Sequence, residues 1–544
     1  MKLRTNNIKK LSQEAFDVLV IGGGINGAVS AAALAARGAK VALIDKRDFA
    51  GFTSQQSSNL AWGGIKYMET YEFGLVRKLC MSRNKLMRSY PSTVKEIRFF
   101  TTIKKGFRYP PLFLFMGTLL YWVMGNGFTR LPRYLSAKKI NQEASIVNTD
   151  DCSGGFEYSD AYLYDNDARF VFNFIRTAMN YGCIAANYVS SLGSVRENGG
   201  WVTTAEDGLT GHKMTIRSKV LINACGPFVD EHNQLTGQKT DHRHIFSKGI
   251  HLIVDRLTPY QRVLTFFADD GRLFFVIPMG PKTCVGTTDS KVDDPVTEIT
   301  AEDRQFVLEN INARLKLDKP LTENDIVAER CGARPLVVER DVKGETDWLQ
   351  LSRKHSVDVN RLDQHVSIYG GKLTDCLNVG DEVSDIVERL GVSYPYPLAR
   401  WYGEPAPQVK KEFMHQARLM ALDEMTDPSS SELLSQRLWR RYGAHAFDLL
   451  ESIRANPQEA ELLIENAEYL RCEISQAARR EMVTKLDDFL RRRSKISLVV
   501  KREDIKSAPG LKDACKILFG DEADAKWDEY FSNGKSGRCL DKSS

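Results

Sequence analysis

Residues 16–45 read FDVLVIGGGINGAVSAAALAARGAKVALID, and they constrain the fold more than any other stretch. An apolar run with β character, Val18 to Ile21, leads into Gly22-x-Gly24-x-x-Gly27. An alanine-rich helix follows, and a second apolar run, Val41 to Ile44, ends in Asp45. This is the order of a βαβ dinucleotide-binding unit. Gly22 permits the tight turn, Gly24 lets backbone approach a pyrophosphate, and Gly27 lets helix and strand pack closely. The helix N-terminus offers unpaired N–H groups and a partial positive charge to phosphate. Asp45 can accept hydrogen bonds from a ribose diol and would repel a 2′-phosphate.

The chain has 544 residues, room for two or three domains. Its formal net charge of +5 is small for that length and argues against a dedicated nucleic-acid binder. Mild basicity is compatible with an anionic substrate or an anionic membrane surface. The ten cysteines are scattered singly, with no CxxC and no Cys/His cluster, so neither zinc nor an iron–sulfur centre is expected. Scattered thiols fit a reducing cytosol. The basic opening MKLRTNNIKKLSQEA has no apolar core and does not read as a secretory signal.

Between Arg108 and Arg130 the chain carries no charge: YPPLFLFMGTLLYWVMGNGFT. The length alone could span a bilayer. Pro110 and Pro111 break its start and Gly125, Asn126 and Gly127 its end, leaving an apolar core from Leu112 to Met124. The cofactor domain must also draw chain from both sides of the segment. It therefore reads as interfacial, with Tyr121 and Trp122 as belt aromatics and Lys104, Lys105 and Arg108 near headgroups. A buried core helix is the competing reading.

Further along, Asp167 to Tyr181 shows helical periodicity, Ser191 to Val202 and Lys213 to Asn223 read as a hairpin or meander, and residues 240–300 are dominated by strands. From about residue 400 strands disappear, and the charged tail after Lys495 reads as a weakly attached extension. Four short motifs punctuate this pattern: Thr53-Ser54-Gln55-Gln56-Ser57-Ser58 followed by Trp62-Gly63-Gly64-Ile65-Lys66-Tyr67; Asn223-Ala224-Cys225-Gly226-Pro227; Gly286-Thr287-Thr288-Asp289; and Gly370-Gly371-Lys372-Leu373-Thr374. Each alone is a turn. In this order they are specific.

Together with GG-I-K-Y-x-E-x-YEF-LV (63–76), GFEYSDAYLYDNDAR (155–169), FFVIP (274–278), ARPL (333–336) and a weaker LRRRSK (490–495), these motifs make residues 16–495 resemble the FAD-dependent, quinone-linked glycerol-3-phosphate dehydrogenases. The resemblance implies an α/β fold: a glutathione-reductase-like FAD-binding domain, a mixed-sheet substrate domain and a helical C-terminal domain. The expected partition gives FAD-binding chain at 14–110, 151–235 and 326–395, and a membrane-contact segment at 111–150. It gives a β-rich substrate domain at 236–325, a helical domain at 396–495 and a charged extension at 496–544.

The implied cofactor is FAD, and the implied reaction is oxidation of glycerol 3-phosphate to dihydroxyacetone phosphate, with electrons passed to a membrane quinone. The implied place is the cytoplasmic face of a membrane, peripherally bound, and a homodimer is compatible with the resemblance. The implied cofactor residues are Gly22, Gly24, Asn26, Gly27, Asp45, Lys46, Thr53, Ser54, Ser57, Ser58, Gly226, Gly371, Lys372, Leu373 and Thr374. The implied catalytic residues are Arg334, His251 (as base) and Lys372; Lys66, Tyr67, Arg334 and Arg272 would bind substrate; no metal is implied. The family usually has SSKLIHGGLRY where this chain has Asn59, Trp62 and Lys66, and Thr-Tyr-Arg where it has Asp375-Cys376-Leu377. Those departures bear on the substrate rather than on FAD. A dehydrogenase or oxidase of another small hydroxy or amino acid, and a flavin-binding regulatory protein without catalysis, are the alternatives.

Overall fold

The computed structural model describes residues 2–267, 272–341, 354–428, 430, 432–464 and 467–532. Two sheets organise them. The first has eight strands. At its centre, Ala15–Ile21 lies parallel to Val41–Ile44 on one side and to Lys213–Asn223 on the other; His365–Gly370 continues the parallel set beyond 213–223, and Ile184–Ala186 beyond 41–44. His355–Asn360 closes one edge in the antiparallel sense, and the meander 189–197, 200–207 and 213–223 extends the sheet. The parallel strands are Val/Ile/Leu-rich because both faces are covered. The helix Ile25–Ala36 covers one face. Its alanines let it sit between the sheet and two further helices, Asp167–Asn180 and Cys376–Arg389, in one continuous core.

The second sheet has ten strands and is antiparallel apart from one parallel pairing, Arg262–Phe267 with Val94–Lys104. Its longest ladder joins His242–Asp255 to Ile326–Glu339. The strands 94–104, 152–163 and 326–339 all belong to this sheet, whereas the expected partition gave those stretches to the FAD-binding domain. Sheet membership is settled by long-range pairing, which the local pattern of an apolar strand does not encode.

The tail also departs from expectation. Ile496–Val499, Arg502–Ser507, Pro509–Phe519 and Ala523–Ser532 are helices. Ile496, Leu498, Ile505, Leu511, Leu518 and Phe519 are buried in a core shared with the second sheet. Gly510 lies so close to Leu463 that a methyl group there would stand 1.6 Å from its carbonyl oxygen. Charged residues alternate with these apolar positions at helical spacing, so composition hid an amphipathic pattern. Residues 533–544 of the expected extension lie outside the described residues.

The uncharged segment forms a helix, Pro111–Met124, started by Pro110 and Pro111 and ended at Gly125. No helix among the described residues is long and apolar enough to cross a membrane. Tyr121 is not a belt aromatic: it is 2 % exposed and donates its hydroxyl to Asp160 at 2.7 Å. Trp122 is half-buried and donates to the Thr129 carbonyl at 2.7 Å. The exposed face is instead Leu112, Phe113, Met116, Leu120 and Val123.

The packed tail carries a testable consequence. Phe519→Ala should destabilise the protein by about 3–5 kcal/mol through the cavity it leaves, read as a lower urea midpoint. Truncation after residue 495 should expose the shared core and lower solubility. An unchanged midpoint in Phe519→Ala would mean the segment is the loose extension that composition suggests.

Candidate functional site

The fingerprint turn has the geometry its glycines permit. Gly22 has a φ of +106°, and a methyl group on Gly27 would stand 1.8 Å from the Gly22 carbonyl oxygen. A methyl on Gly24 would meet only the Ser54 hydroxyl, at 3.3 Å, and one on Gly226 would meet nothing within 4 Å. The backbone here is bare where a ligand would approach. The fingerprint helix has no acid in its first turn, which suits an anion. Ser54 accepts the Ile25 N–H at 3.0 Å. Asp45 accepts N–H bonds from Gly23 at 2.6 Å and Arg47 at 2.8 Å. Burial pushes its carboxyl up to about 6, against the pull of those two bonds. Lys46 is exposed just beyond.

The loop 53–59 lies between the two sheets and joins them. The Thr53 hydroxyl donates to the Ala333 carbonyl at 3.1 Å. Gly332 lets Gln56 lie against that strand, since a methyl there would be 2.8 Å from the Gln56 Cβ. Ser57 donates both its N–H (2.8 Å) and its hydroxyl (2.9 Å) to Asp167, so it anchors the loop; Ser58 beside it is half-buried. Arg330 donates to the Ser57 carbonyl and, at 2.8 Å, to the Asn59 side chain. Asn59 is buried with φ +60°, in the left-handed region that asparagine tolerates. It holds Arg330, the Leu163 and Asp165 carbonyls, and so has a structural task.

On the second sheet, Arg330, Gly332 and Arg334 share one face of a strand. Arg334 donates to Asp289 at 3.1 Å and to the Thr287 hydroxyl at 2.9 Å. Arg272 donates to the Asp289 main-chain carbonyl at 2.9 Å, so one residue holds Arg334 through its carboxylate and Arg272 through its backbone. Arg334 sits across from Gly249, where a methyl group would stand 2.1 Å from its guanidinium. His251, two residues on, pairs with Gly286 and Arg330 in the sheet. It is 3 % exposed, and neither ring nitrogen has a hydrogen-bond partner among the described residues. Burial first, then Arg334 and Arg330, push it down to about 3, so it is a neutral imidazole at physiological pH.

A second cluster stands at the turn 370–374. Gly370 and Gly371 both have positive φ, +58° and +100°. The Asn26 side chain donates to the Gly370 carbonyl at 2.9 Å, tying this turn to the fingerprint helix. Lys372 places its ammonium 4.2 Å from the Tyr67 ring centroid and 6.0 Å from that of Trp62. Thr374 donates to the Trp62 carbonyl at 3.2 Å, and half-buried Leu373 opens the short turn that leads into the helix 376–389. Trp62 donates its indole N–H to Tyr158 at 3.1 Å. Lys66 is exposed. Cys376 and Leu377 are buried core residues, so that part of the departure from the family pattern is packing.

Sequence reasoning missed several residues. Arg330 repeats the spacing of Arg334 along one strand and was legible from period-2 alternation. Asp167 lies inside the motif 155–169 but was not singled out, and His244 and His355 had no local signal, because their roles depend on partners far away in sequence.

This is a dinucleotide cradle with a cationic, histidine-bearing sheet face beside it. Residues 17–350 match the FAD dependent oxidoreductase family and residues 415–525 match the C-terminal domain of alpha-glycerophosphate oxidase. The chain belongs to that oxidoreductase family, and FAD is its cofactor. Within it, the chain is 30% identical over 527 residues to Glycerol-3-phosphate dehydrogenase 2 of Mycobacterium tuberculosis, covering 94% of this chain and 86% of that one. It is 28% identical over 494 residues to D-erythritol 1-phosphate dehydrogenase of Brucella abortus, covering 89% and 94%. Its fold matches the glycerol-3-phosphate dehydrogenase of Bacillus halodurans complexed with FAD, with a TM-score of 0.74, 24% identity and 100% and 99% of the two chains covered.

Bare backbone at Gly24 and Gly226, an acid-free helix start and Asp45 fit the nucleotide end of FAD. Gly24→Val should therefore yield folded apoprotein, checked by the flavin absorbance-to-protein ratio together with an unchanged far-UV spectrum. Full flavin content in that variant would place the pyrophosphate elsewhere.

Proposed function

We propose that the protein oxidises sn-glycerol 3-phosphate to dihydroxyacetone phosphate on FAD and passes the electrons to a membrane quinone. The observation that carries the reading is the pairing of a braced guanidinium, Arg334, with a neutral histidine, His251, that has no hydrogen-bond partner among the described residues, on one sheet face. FAD, when bound, supplies the hydride acceptor. The chain supplies the rest. Asp289 and Thr287 hold the Arg334 fork in one orientation, which suits a phosphate or an alkoxide oxygen. Arg330 adds charge behind it. His251 accepts the alcohol proton as the C–H bond breaks. Its low proton affinity comes in part from the two guanidiniums; an anionic substrate placed against them offsets that repulsion and raises the affinity when a proton has to be taken. Lys372, over Tyr67, provides a further cation. Lys66, Tyr67 and Arg272 complete the proposed substrate contacts. Trp62 stands where the family has histidine, and the likeness to a tetritol phosphate dehydrogenase makes a longer polyol phosphate the second substrate to try.

The test is anaerobic bleaching of bound flavin by glycerol 3-phosphate, erythritol phosphate and carboxylated alcohols, followed by reoxidation with a short-chain quinone. Arg334→Ala should lower kcat/KM roughly thirty- to several-thousand-fold, the equivalent of about 2–5 kcal/mol for truncating one partner of a charged contact that bound substrate and flavin would desolvate, with FAD retained. Arg334→Lys should restore little, because a point charge lacks the fork. An unchanged kcat/KM would remove Arg334 from the site.

Membrane attachment belongs to the same proposal. Leu112, Phe113, Met116, Leu120 and Val123 form one exposed apolar face, flanked by exposed Lys104, Lys105, Arg108 and Arg130. Cations beside an apolar helix face fit an anionic lipid surface, and each large side chain withdrawn from water contributes up to about 1.5–3 kcal/mol. Phe113→Glu with Val123→Glu should abolish flotation with vesicles containing phosphatidylglycerol while leaving flavin content intact. Equal flotation of the variant would assign that face to another partner.

A further inference from the structure

The turn Gly370-Gly371 is gripped by two histidines in opposite charge states. On one side, His244 accepts the Gly370 N–H at Nε2, 2.9 Å away. A ring nitrogen that accepts carries no proton, so His244 is neutral, and burial agrees by pushing it down to about 3. On the other side stands His355, paired in register with Gly370 and touching Gly371, where a methyl group would be 3.4 Å from its Cβ. The His355 side chain is 4 % exposed, with Nδ1 3.1 Å from Asp375 and Nε2 2.8 Å from Glu382. Both ring nitrogens face carboxylate oxygens. A neutral imidazole has one N–H and can serve only one of them, so the geometry demands the imidazolium.

We propose that His355 is a positioning residue: its imidazolium, clamped between Asp375 and Glu382, ties the edge strand 355–360 to the start of the helix 376–389 and so fixes the Gly370–Leu373 turn against FAD. The inference rests on the reading that this turn meets the flavin end of the cofactor. Asp375 is the residue that departs from the family pattern here. Its carboxylate is turned sideways, accepting from Ser82 and Asn378 at 2.6 Å each, with Lys78 3.5 Å away. Among the described residues, the charged and titratable groups around His355 are Asp375 at the N-cap of the helix 376–389 and Glu382 on it, Lys78 beyond them on the helix 73–89, His244 across the turn and Lys372 at its end. Burial works against the charge on His355, but the two carboxylates outweigh it and hold the ring up to about 9. Burial likewise opposes the Asp375 carboxylate, which His355, Ser82 and Lys78 hold down at about 2.

The sign of the pH effect follows. A histidine raised in the folded state contributes fully below its ordinary value near 6.5 and loses that contribution as pH rises through about 9. The clamp is thus intact at neutral pH and opens in alkali. FAD affinity and the flavin midpoint potential are to be measured in wild type, His355→Gln and Glu382→Gln from about pH 7 to about pH 10. Titration of the flavin ring itself is common to all three proteins and cancels in the comparison. Wild-type affinity should fall several-fold as pH passes about 9. His355→Gln should bind FAD more weakly at neutral pH and lack that break. Glu382→Gln, a milder change at a half-exposed carboxylate, should keep the break and move it to lower pH. A wild-type profile in His355→Gln, or an unmoved break in Glu382→Gln, overturns the proposal; the second variant decides should the first not fold. Retention of FAD by Gly24→Val would instead sink the cofactor placement itself, a separate outcome.

Discussion

A buried carboxylate, Asp167, is the point on which the site depends. Its side chain is fully buried; it takes two hydrogen bonds from Ser57, with Arg330 and Arg491 each 4.0 Å away. Through Ser57 it holds the loop that caps the fingerprint helix, touches the second sheet and carries the Asn59–Arg330 contact. Arg491 donates to the Gln55 carbonyl, and Arg492 and Arg493 converge on Asp48 at 2.6 and 2.8 Å. Against the cost of burial, Arg493 and Arg492 hold the Asp48 carboxyl below its ordinary value. One run of three arginines from the C-terminal part of the chain thus holds Gln55 in the loop between the two sheets and Asp48 ahead of it. Removing a single member of such a set leaves an uncompensated buried charge, a loss of about 3–5 kcal/mol, so the loop keeps its place only as part of the whole network.

The histidines show how one environment is tuned residue by residue. His251 and His355 are both buried, yet one is pushed down to about 3 and the other up to about 9. Burial disfavours the charge on each. The difference lies in the neighbours: two guanidiniums beside His251, two carboxylates beside His355. The first is left able to accept a proton, the second committed to keeping one. Neither state can be inferred from the identity of the residue.

Much of the cofactor cradle was legible in residues 16–45, because each glycine meets a local demand and the apolar runs carry their own period. The segment 109–129 was legible as a short apolar core with broken ends, since prolines and glycines mark them; which aromatics face out was not. Tyr121 points inward because Asp160 is there to receive its hydroxyl, and Asp160 lies 39 residues along the chain. The amphipathic helices after residue 495 were hidden by charge, and the membership of the strands at 94–104, 152–163 and 326–339 in the second sheet was not legible because their pairing partners are distant. Arg334 and His251 came from the family motifs; the brace of Asp289 and Thr287, and the space that Gly249 leaves for the guanidinium, came only from the folded chain.

The sequence by itself determined the dinucleotide fold of the first sheet, which is set by short-range features: glycine's access to positive φ, the two periodicities of apolar residues, and an acid at the end of the second strand. FAD as the particular dinucleotide came from the resemblance carried by the order of the motifs around it. Tertiary structure alone decided which strand joins which sheet, which arginine is braced, which histidine is charged and which face of the apolar helix meets solvent. Those properties belong to pairs of groups rather than to single residues. Hydrogen bonds and ion pairs act over a few ångströms in space, and the partners that set them here, such as Arg491 and Gln55, are separated by hundreds of positions along the chain.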